Sequence, residues 1–548
     1  MVNKSMIILI KKYLRKHFSR RARNILKGFR HLKTENNLGM MRIIRHEFAS
    51  TPLNIIEQRF RPLIFGSGLS QAEIIIRQYL LAVVATMNFD KAFLPIVGKP
   101  HLTMIYYLPP QWREVVRKKG VQVAELRSAI AWNFFLMLEF LKGIATICQM
   151  IWFSCKTKNH KQLGRYVYFD KLTNANLPKS SNHPVSYDII TWYAQWEGRC
   201  EKFDCFSHNV EESIPTEVNR IPVIPIRSAI LALKNFMSLF CFVAWCIASF
   251  WVTLFDCFRG RWWHALLFRE AVKSKVIQLQ NAESLATEYL FHEFIYRPLW
   301  TYEAEKKGSK LSFYFYSLAT EPFKCFPQFK DLPTDYVFEA MNWPRYLVWD
   351  NEQAEDMTKI KYEKKIEIVG PIWFVDSVKT LPTIPQRTIA VFDNPAFRES
   401  IFSLLPVDLI YYSPDTVNQF INDICHAALE NNIHIAFKQK RDIGNWIHPK
   451  YQMQLNQLSS WPQWIQTESD ISPNRLISAC IAAISIPFTT TAVIANRMGK
   501  CSIYYDALGI VQKNERQAHG IPVIACKDEL AAWMHTVVNA SHEKKMLA

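Results

Sequence analysis

Several features that would place this 548-residue sequence at once are missing from it. Its twelve cysteines contain no CxxC pair and no zinc-ligand spacing, which excludes the common structural zinc modules. Many of them sit in apolar runs such as Cys241-Phe-Val-Ala-Trp-Cys246, the setting of reduced, buried thiols. The apolar run Met6 to Ile10 is too short for a secretory signal, and no small-residue cleavage site follows it. Together these point to the reducing cytoplasm. Residues 1–34 hold no acidic residue, and the chain offers no recognition element of the kind that reads nucleic acid, so a nucleic-acid partner is not expected.

What is present is positive charge and aromatic surface. The net charge is +18, and 11 Lys or Arg fall within residues 1–34, leaving +7 (18 − 11) for the rest. Within that leader Ile7, Ile10, Leu14, Phe18, Ala22, Ile25 and Phe29 recur at steps of three or four, which predicts an amphipathic basic helix on an anionic membrane surface. The 17 Trp, 36 Phe and 21 Tyr suggest contact with lipid or sugar. Phe236 to Phe255 is an uncharged run of about the length that crosses a bilayer, able to span or half-insert. Ala129 to Phe153 is also apolar but carries Glu139 and Lys142 one turn apart, favouring a helix in the interface or packed in protein. Basic residues and the pair Trp262-Trp263 flank these runs as interfacial anchors do.

The length suggests two large lobes. Three segments are read: residues 1–84 as a basic membrane-surface region, 85–364 as an acceptor-side α/β lobe interrupted by apolar helices near 129–153 and 236–255, and 365–548 as a nucleotide-sugar-binding Rossmann-like lobe. Leu102 to Leu108 reads as a buried strand and Asp188 to Trp196 as a strand or short helix. The last segment alternates strands (Ile366–Val369, Thr388–Asp393, Ile433–Phe437, Ser478–Ile486, Ser502–Tyr505, Ile521–Ile524) with helices (Thr416–Glu430, Leu455–Trp464, Thr491–Met498). Such alternation implies a parallel sheet covered on both faces, with ligands at the carboxyl ends of its strands. Three polar turns fall at those ends: Asp393-Asn394-Pro395, Lys438-Gln439-Lys440-Arg441 and Thr489-Thr490-Thr491.

Pro487-Phe488-Thr489-Thr490-Thr491 reads as an anion site at a helix start, its hydroxyls capping free N–H groups or reaching a phosphate. Lys438, Lys440 and Arg441 form a cationic cluster suited to a leaving phosphate. His448 could contact a phosphate or protonate a departing oxygen, although a single histidine is more often structural. Glu303 and Glu305, beside Trp300 and Tyr302, are the candidate bases for an acceptor hydroxyl, with Glu197 a further acidic site and a surface ion pair the plainer reading.

The segments IYRPLWTYEAEKKG, SFYFYS, DIITWYAQWEGR and SIPFTTTAVIA together resemble the bacterial polysaccharide-biosynthesis proteins named for their PFTS motif, with Thr490 in place of the motif's Ser. The resemblance implies an α/β fold with a GT-B-like pair of Rossmann-like lobes, a glycosyltransferase with no obligatory metal, and a nucleotide-sugar donor. A weaker similarity to bacterial sialyltransferases and Kdo transferases, through His448-Pro449 and Thr489-Thr490, implies a CMP-activated donor. No DxD arrangement flanked by a strand is found, in keeping with cations in place of a metal. The reading that follows is transfer of a sugar from such a donor to a surface polysaccharide or lipid-linked acceptor, at the inner face of a bacterial inner membrane and with no further cofactor. The alternatives are a non-catalytic membrane-associated assembly protein and an integral transporter or polymerase.

Overall fold

Short runs of β-branched and aromatic residues, buried from both sides, assemble two sheets in the computed structural model. It describes residues 20–53, 72–97, 105–156, 163–178, 188–196, 202–211, 216–318, 341–372, 380–398 and 413–546, except 33, 36, 38, 227, 294–295, 361 and 488. The first sheet contains β1 (Tyr166–Phe169), β2 (Cys205–His208), β3 (Thr216–Val218), β4 (Ile221–Pro225), β5 (Glu288–Phe291), β6 (Lys310–Tyr314), β7 (Arg345–Val348) and β8 (Lys365–Ile368). Its spatial order is β3-β4-β2-β1-β5-β6-β7-β8, parallel throughout except for the β3–β4 pair.

The second sheet contains β9 (Thr388–Asp393), β10 (His434–Gln439), β11 (Trp464–Thr467), β12 (Ala482–Ser485), β13 (Cys501–Tyr505) and β14 (Val523–Ile524). Its order, β11-β10-β9-β12-β13-β14, is parallel throughout. Numbered from its own first strand this is 3-2-1-4-5-6, the doubly wound arrangement. Every residue of β1, β9 and β12 is buried, as parallel strands covered by helices on both faces require. The expected pair of Rossmann-like lobes is therefore present.

Several local assignments differ from the sequence reading. Lys365–Ile368 pairs with β7 and closes the first sheet, so the second lobe begins beyond it and not at residue 365. The pattern KIEI carries no information about which of two parallel sheets it joins. Ile105–Leu108, the described part of the expected strand at 102–108, belongs to neither sheet. Asp188–Trp196, by contrast, takes the second of its two expected forms, the short helix Ile189–Trp196. Ser478 lies in the helix Pro473–Ala479 ahead of β12, and Trp464 opens β11 instead of ending a helix. Short apolar runs suit either element, and packing decides between them.

Three helices form the insertion in the first lobe. Glu125–Lys156 and Phe236–Phe258 both lie on Trp263–Leu279, which is buried along most of its length. Ring pairs Phe140–Phe250, Phe140–Phe268 and Trp132–Trp262 join them. Their polarity is reversed relative to a water-soluble helix. Glu139 is buried against Lys142 Nζ (2.6 Å) and Tyr79 Oη (3.2 Å), and Asp256 is fully buried between Arg261 (3.2 Å) and His264 (2.9 Å). Ser249 and Thr253 also point inward, while Phe134, Met137, Leu141, Trp251, Phe255 and Phe258 point outward and are about half or more exposed. Among the described residues, Ile74–Val97, Glu125–Lys156 and Phe236–Phe258 are long and apolar enough to cross a membrane.

Of the expected amphipathic leader, residues 1–19 lie outside the described residues. Residues 20–32 are helical, and their apolar side turns into the protein: Ile25 and Leu32 are buried, and a Cβ on Gly28 would lie 1.9 Å from the Leu94 carbonyl oxygen. The outward apolar surface therefore belongs to the inserted helices. Gly143 sets how closely Glu125–Lys156 approaches its neighbour, since a Cβ there would lie 2.4 Å from the Phe268 ring. Gly143→Ala is expected to destabilise the detergent-solubilised chain by about 1–3 kcal/mol through overpacking, read as a lower thermal midpoint.

Candidate functional site

In a doubly wound sheet, connections leave the central strands in opposite directions, and the crevice between them at the carboxyl ends is the binding position. Each lobe has one such crevice. In the second lobe it lies between β9 and β12. Asp393 ends β9 fully buried, its carboxylate accepting from Tyr451 Oη. Burial pushes its carboxyl up to about 7, against the opposing pull of Tyr451, the Lys440 backbone N–H and the Lys438 charge. The next residue, Asn394, is fully buried, and neither atom of its side-chain amide finds a hydrogen-bond partner among the described residues. An unmet buried amide costs about 1–3 kcal/mol, so at this crevice Asn394 is a candidate contact for a bound molecule.

Across the crevice, the polar turn after β12 is tied to itself. Ser485 Oγ and Thr491 Oγ1 are 2.7 Å apart, Thr491 Oγ1 donates to Thr489 Oγ1 (3.3 Å), and Thr489 Oγ1 donates to the Ile486 carbonyl (2.9 Å). Tyr504 Oη donates to the Thr489 carbonyl (2.5 Å). Thr490 precedes the seven-residue helix Thr491–Arg497 with no side-chain cap bond. The threonines thus shape the turn through one another and do not cap the helix, as had been expected of them.

The KQKR cluster divides. Lys438 is 3% exposed, and its Nζ donates to the carbonyls of Gln439 (3.2 Å) and Ser469 (2.8 Å). Burial pushes its ammonium down to about 8, with the charges of Asp393 and Asp470 limiting the fall. Lys440 and Arg441 follow on the exposed turn. In register, Lys438 and Ser485 flank Phe392 on either side of β9, roughly 9–10 Å apart by strand spacing. His448 caps the helix Pro449–Leu458, its Nδ1 accepting from the Lys450 backbone N–H (3.2 Å), which is a structural role.

In the first lobe the crevice falls between β1 and β5, and a cavity of about 580 Å³ occupies it. Asp170 follows β1 and accepts from Tyr168 Oη (3.1 Å). Burial pushes its carboxyl up to about 6, opposed by Tyr168 and the Lys171 charge. Glu293, just beyond β5, pairs with Lys171 (3.3 Å). His292 is pushed down to about 4 by burial and shares a hydrogen bond with Tyr314 Oη (3.2 Å). In the cavity wall, buried Glu270 accepts from Lys273 through Oε1 (3.2 Å), while its Oε2 finds no partner among the described residues; the buried Tyr296 hydroxyl lies beside it, within reach of the Leu299 backbone N–H. Asp170, Glu270 and Tyr296 were not among the residues singled out from sequence; an apolar strand YVYF ending in Asp was the available signal for the first.

Glu303 and Glu305 lie elsewhere. Their helix, Leu299–Lys306, descends to the amino end of β6. Glu305 there lines a separate cavity of about 620 Å³ with Lys310, Arg345 and Lys365, the first residues of β6, β7 and β8. Glu303 pairs with Lys306 (3.4 Å) and Glu305 with Arg297. Neither shares the crevice at the carboxyl ends. Glu197 lies outside the described residues.

The lobes meet at the carboxyl end of β7. Asp350 begins the helix Asn351–Thr358 and accepts from the Gln353 N–H (3.0 Å), while Oδ2 meets His519 Nδ1 (2.9 Å) and Arg497 Nη2 (3.2 Å) of the second lobe. Burial works against its ionisation, but His519, Gln353 and Arg497 prevail and hold it below the usual carboxylate range. Asp350 is also in the electrostatic neighbourhood of Tyr504, which anchors Thr489. Asp350, Glu352 and His519 have the mutual spacing of metal ligands, yet Arg497 already neutralises the shared carboxylate, so the group is read as an inter-lobe ion cluster.

Two facing Rossmann-like lobes with a polar crevice in each define a GT-B-like protein. The family model described as polysaccharide biosynthesis PFTS motif protein matches residues 242–534, more than half the chain, and this protein belongs to that family. No curated protein matches it. Among solved structures, a wall teichoic acid polymerase TagF variant is 10% identical with a TM-score of 0.37, covering 75% of this chain and 90% of its own. Trehalose-6-phosphate synthase OtsA is 11% identical with a TM-score of 0.36, covering 68% and 91%. A UDP-N-acetylglucosamine 2-epimerase from Rickettsia bellii is 9% identical with a TM-score of 0.35, covering 68% and 88%.

Because Lys438 is enclosed by carbonyls and carboxylates, Lys438→Ala is expected to cost about 1–3 kcal/mol of folding stability. Lys440→Ala should leave the thermal midpoint within experimental error.

Proposed function

We propose that this protein is a glycosyltransferase of polysaccharide biosynthesis, moving a sugar from a nucleotide-activated donor in the second-lobe crevice to a hydroxyl held in the first-lobe cavity. The observation that carries the reading is Asn394, a fully buried amide without a partner among the described residues, at the switch point of a doubly wound sheet. Membership of the family is its second support.

In this mechanism the nucleotide lies across the ends of β9 and β12, with the Asn394 amide and the Thr489–Thr491 turn as polar contacts. The exposed side chains of Lys440 and Arg441 supply positive charge to the leaving phosphate, where charge develops in the transition state. Asp170 takes the proton of the acceptor hydroxyl as that oxygen attacks the anomeric carbon; a carboxyl poised near 6 is ionised at neutral pH yet basic enough to act. Glu270 and Tyr296 orient the acceptor. A CMP-sugar is the donor we assign, on the strength of the Thr489-Thr490 pair, and the outward apolar helices support residence on the inner face of the bacterial inner membrane.

A thermal-shift panel of CMP, CDP, UDP and GDP tests the donor site, since a nucleotide that binds only the native state raises its midpoint. One nucleotide, CMP by this reading, is expected to stabilise the chain, and Asn394→Leu to abolish the shift. No response to any nucleotide would favour the non-catalytic assembly protein. For the base, Asp170→Asn is expected to lower turnover about 10²–10⁴-fold and to remove an acid limb near pH 6, because activity rises as that carboxyl loses its proton. Glu305→Gln should leave turnover nearly unchanged, and the opposite ranking would return the base to the amino-end cavity.

A further inference from the structure

The first-lobe cavity has a neighbour. A second cavity of about 970 Å³ lies under the last two turns of the helix Glu125–Lys156, and the two share Met150, Ser228 and Ile230 in their linings. Its walls are largely apolar, with Phe153, Ile224, Ile226 and Ile230 among them. Its rim carries both signs of charge, Lys156 and Lys234 with Glu211 and Glu283. At the rim Trp152 is 67% exposed, with the Lys156 ammonium 5.6 Å from its ring centre. An exposed indole beside a lysine is the pairing found where a protein surface meets lipid headgroups.

We propose that this groove receives the hydrocarbon chain of a lipid-linked acceptor, drawn from the bilayer beside the helix and delivering its polar end into the cavity of Asp170, Glu270 and Tyr296. The inference rests on the assignment of that cavity to the acceptor. Three observations converge on it. The groove borders a helix whose outward side chains along its middle are apolar and whose mid-helix Glu139 is buried, so its mouth lies beside the surface that lipid would cover. It adjoins the polar cavity, the two sharing Met150, Ser228 and Ile230 in their walls. The polar cavity in turn holds Glu270 Oε2, buried and without a hydrogen-bond partner among the described residues, where a sugar hydroxyl would be satisfied. An amphiphile with apolar chain outward and polar head inward matches that gradient from wall to wall.

The test uses the full chain in phosphatidylethanolamine–phosphatidylglycerol nanodiscs, irradiated with a long-chain alkyl phosphate that bears a diazirine near its tail, with adducts mapped by mass spectrometry. Adducts on Met150, Phe153 or Ile226, competed by unlabelled long-chain but not short-chain alkyl phosphate, are expected. Ile226→Trp, which fills the groove from a partly exposed position, should lose them while keeping the wild-type nucleotide shift, a readout from the other lobe that also shows the variant folded. Adducts confined to outward residues such as Phe134 and Trp251, or groove adducts untouched by Ile226→Trp, would overturn the proposal. The nucleotide shift of the wild type is scored separately, so failure of the donor site and failure of the groove are distinguishable.

Discussion

The structure depends on one topological constraint, met twice: a parallel sheet whose connections leave neighbouring central strands in opposite directions has an open crevice at their carboxyl ends. In the first lobe that strand pair is β1 and β5, and in the second it is β9 and β12. The buried polar groups follow the topology. Half-buried Asp170 and buried Glu270 stand at one crevice, fully buried Asp393 and Asn394 at the other. Several core polar side chains are paired, as Tyr193 is with Glu288 (2.8 Å) and Tyr505 with Asp423 (2.7 Å), while others, such as the buried amide of Gln78, find no partner among the described residues. Asn394 at one crevice and Glu270 at the other keep polar atoms without a partner among the described residues.

The second lobe was largely legible in the sequence because each of its strands is a short apolar run ending in a polar turn. Thr388–Asp393 was placed to the residue, and all three turns flagged from their composition lie at strand carboxyl ends. What composition did not reveal was direction within a turn. Lys438 continues the strand inward and is consumed by carbonyls, whereas Lys440 and Arg441 emerge from it. Charge in a sequence marks the presence of a cation, and only packing shows whether the fold has already used it.

The first lobe was harder to read, for two physical reasons. Its strands are separated by inserted helices, so β1 meets β5 only through residues distant in sequence, Val167 beside Glu288, and no local pattern joins them. The acidic pair beside aromatic rings drew attention to Glu303 and Glu305, but their helix runs from the carboxyl to the amino edge of the sheet and carries them away from the crevice. Asp170 has no acidic neighbour and gains its raised pKa from burial, which a sequence does not display. The inserted helices complete the account, since their inward charges and outward rings place an apolar face beside the cavity that the acceptor needs.

The central claim is that donor chemistry belongs to the carboxyl-end crevice of the second lobe. Hydrogen–deuterium exchange of the full chain, with and without the stabilising nucleotide, tests it most directly. Slower exchange is predicted at residues 393–396 and 485–492, with residues 303–311 unchanged. Protection centred on residues 303–311, with none at the β9 and β12 ends, would contradict the account.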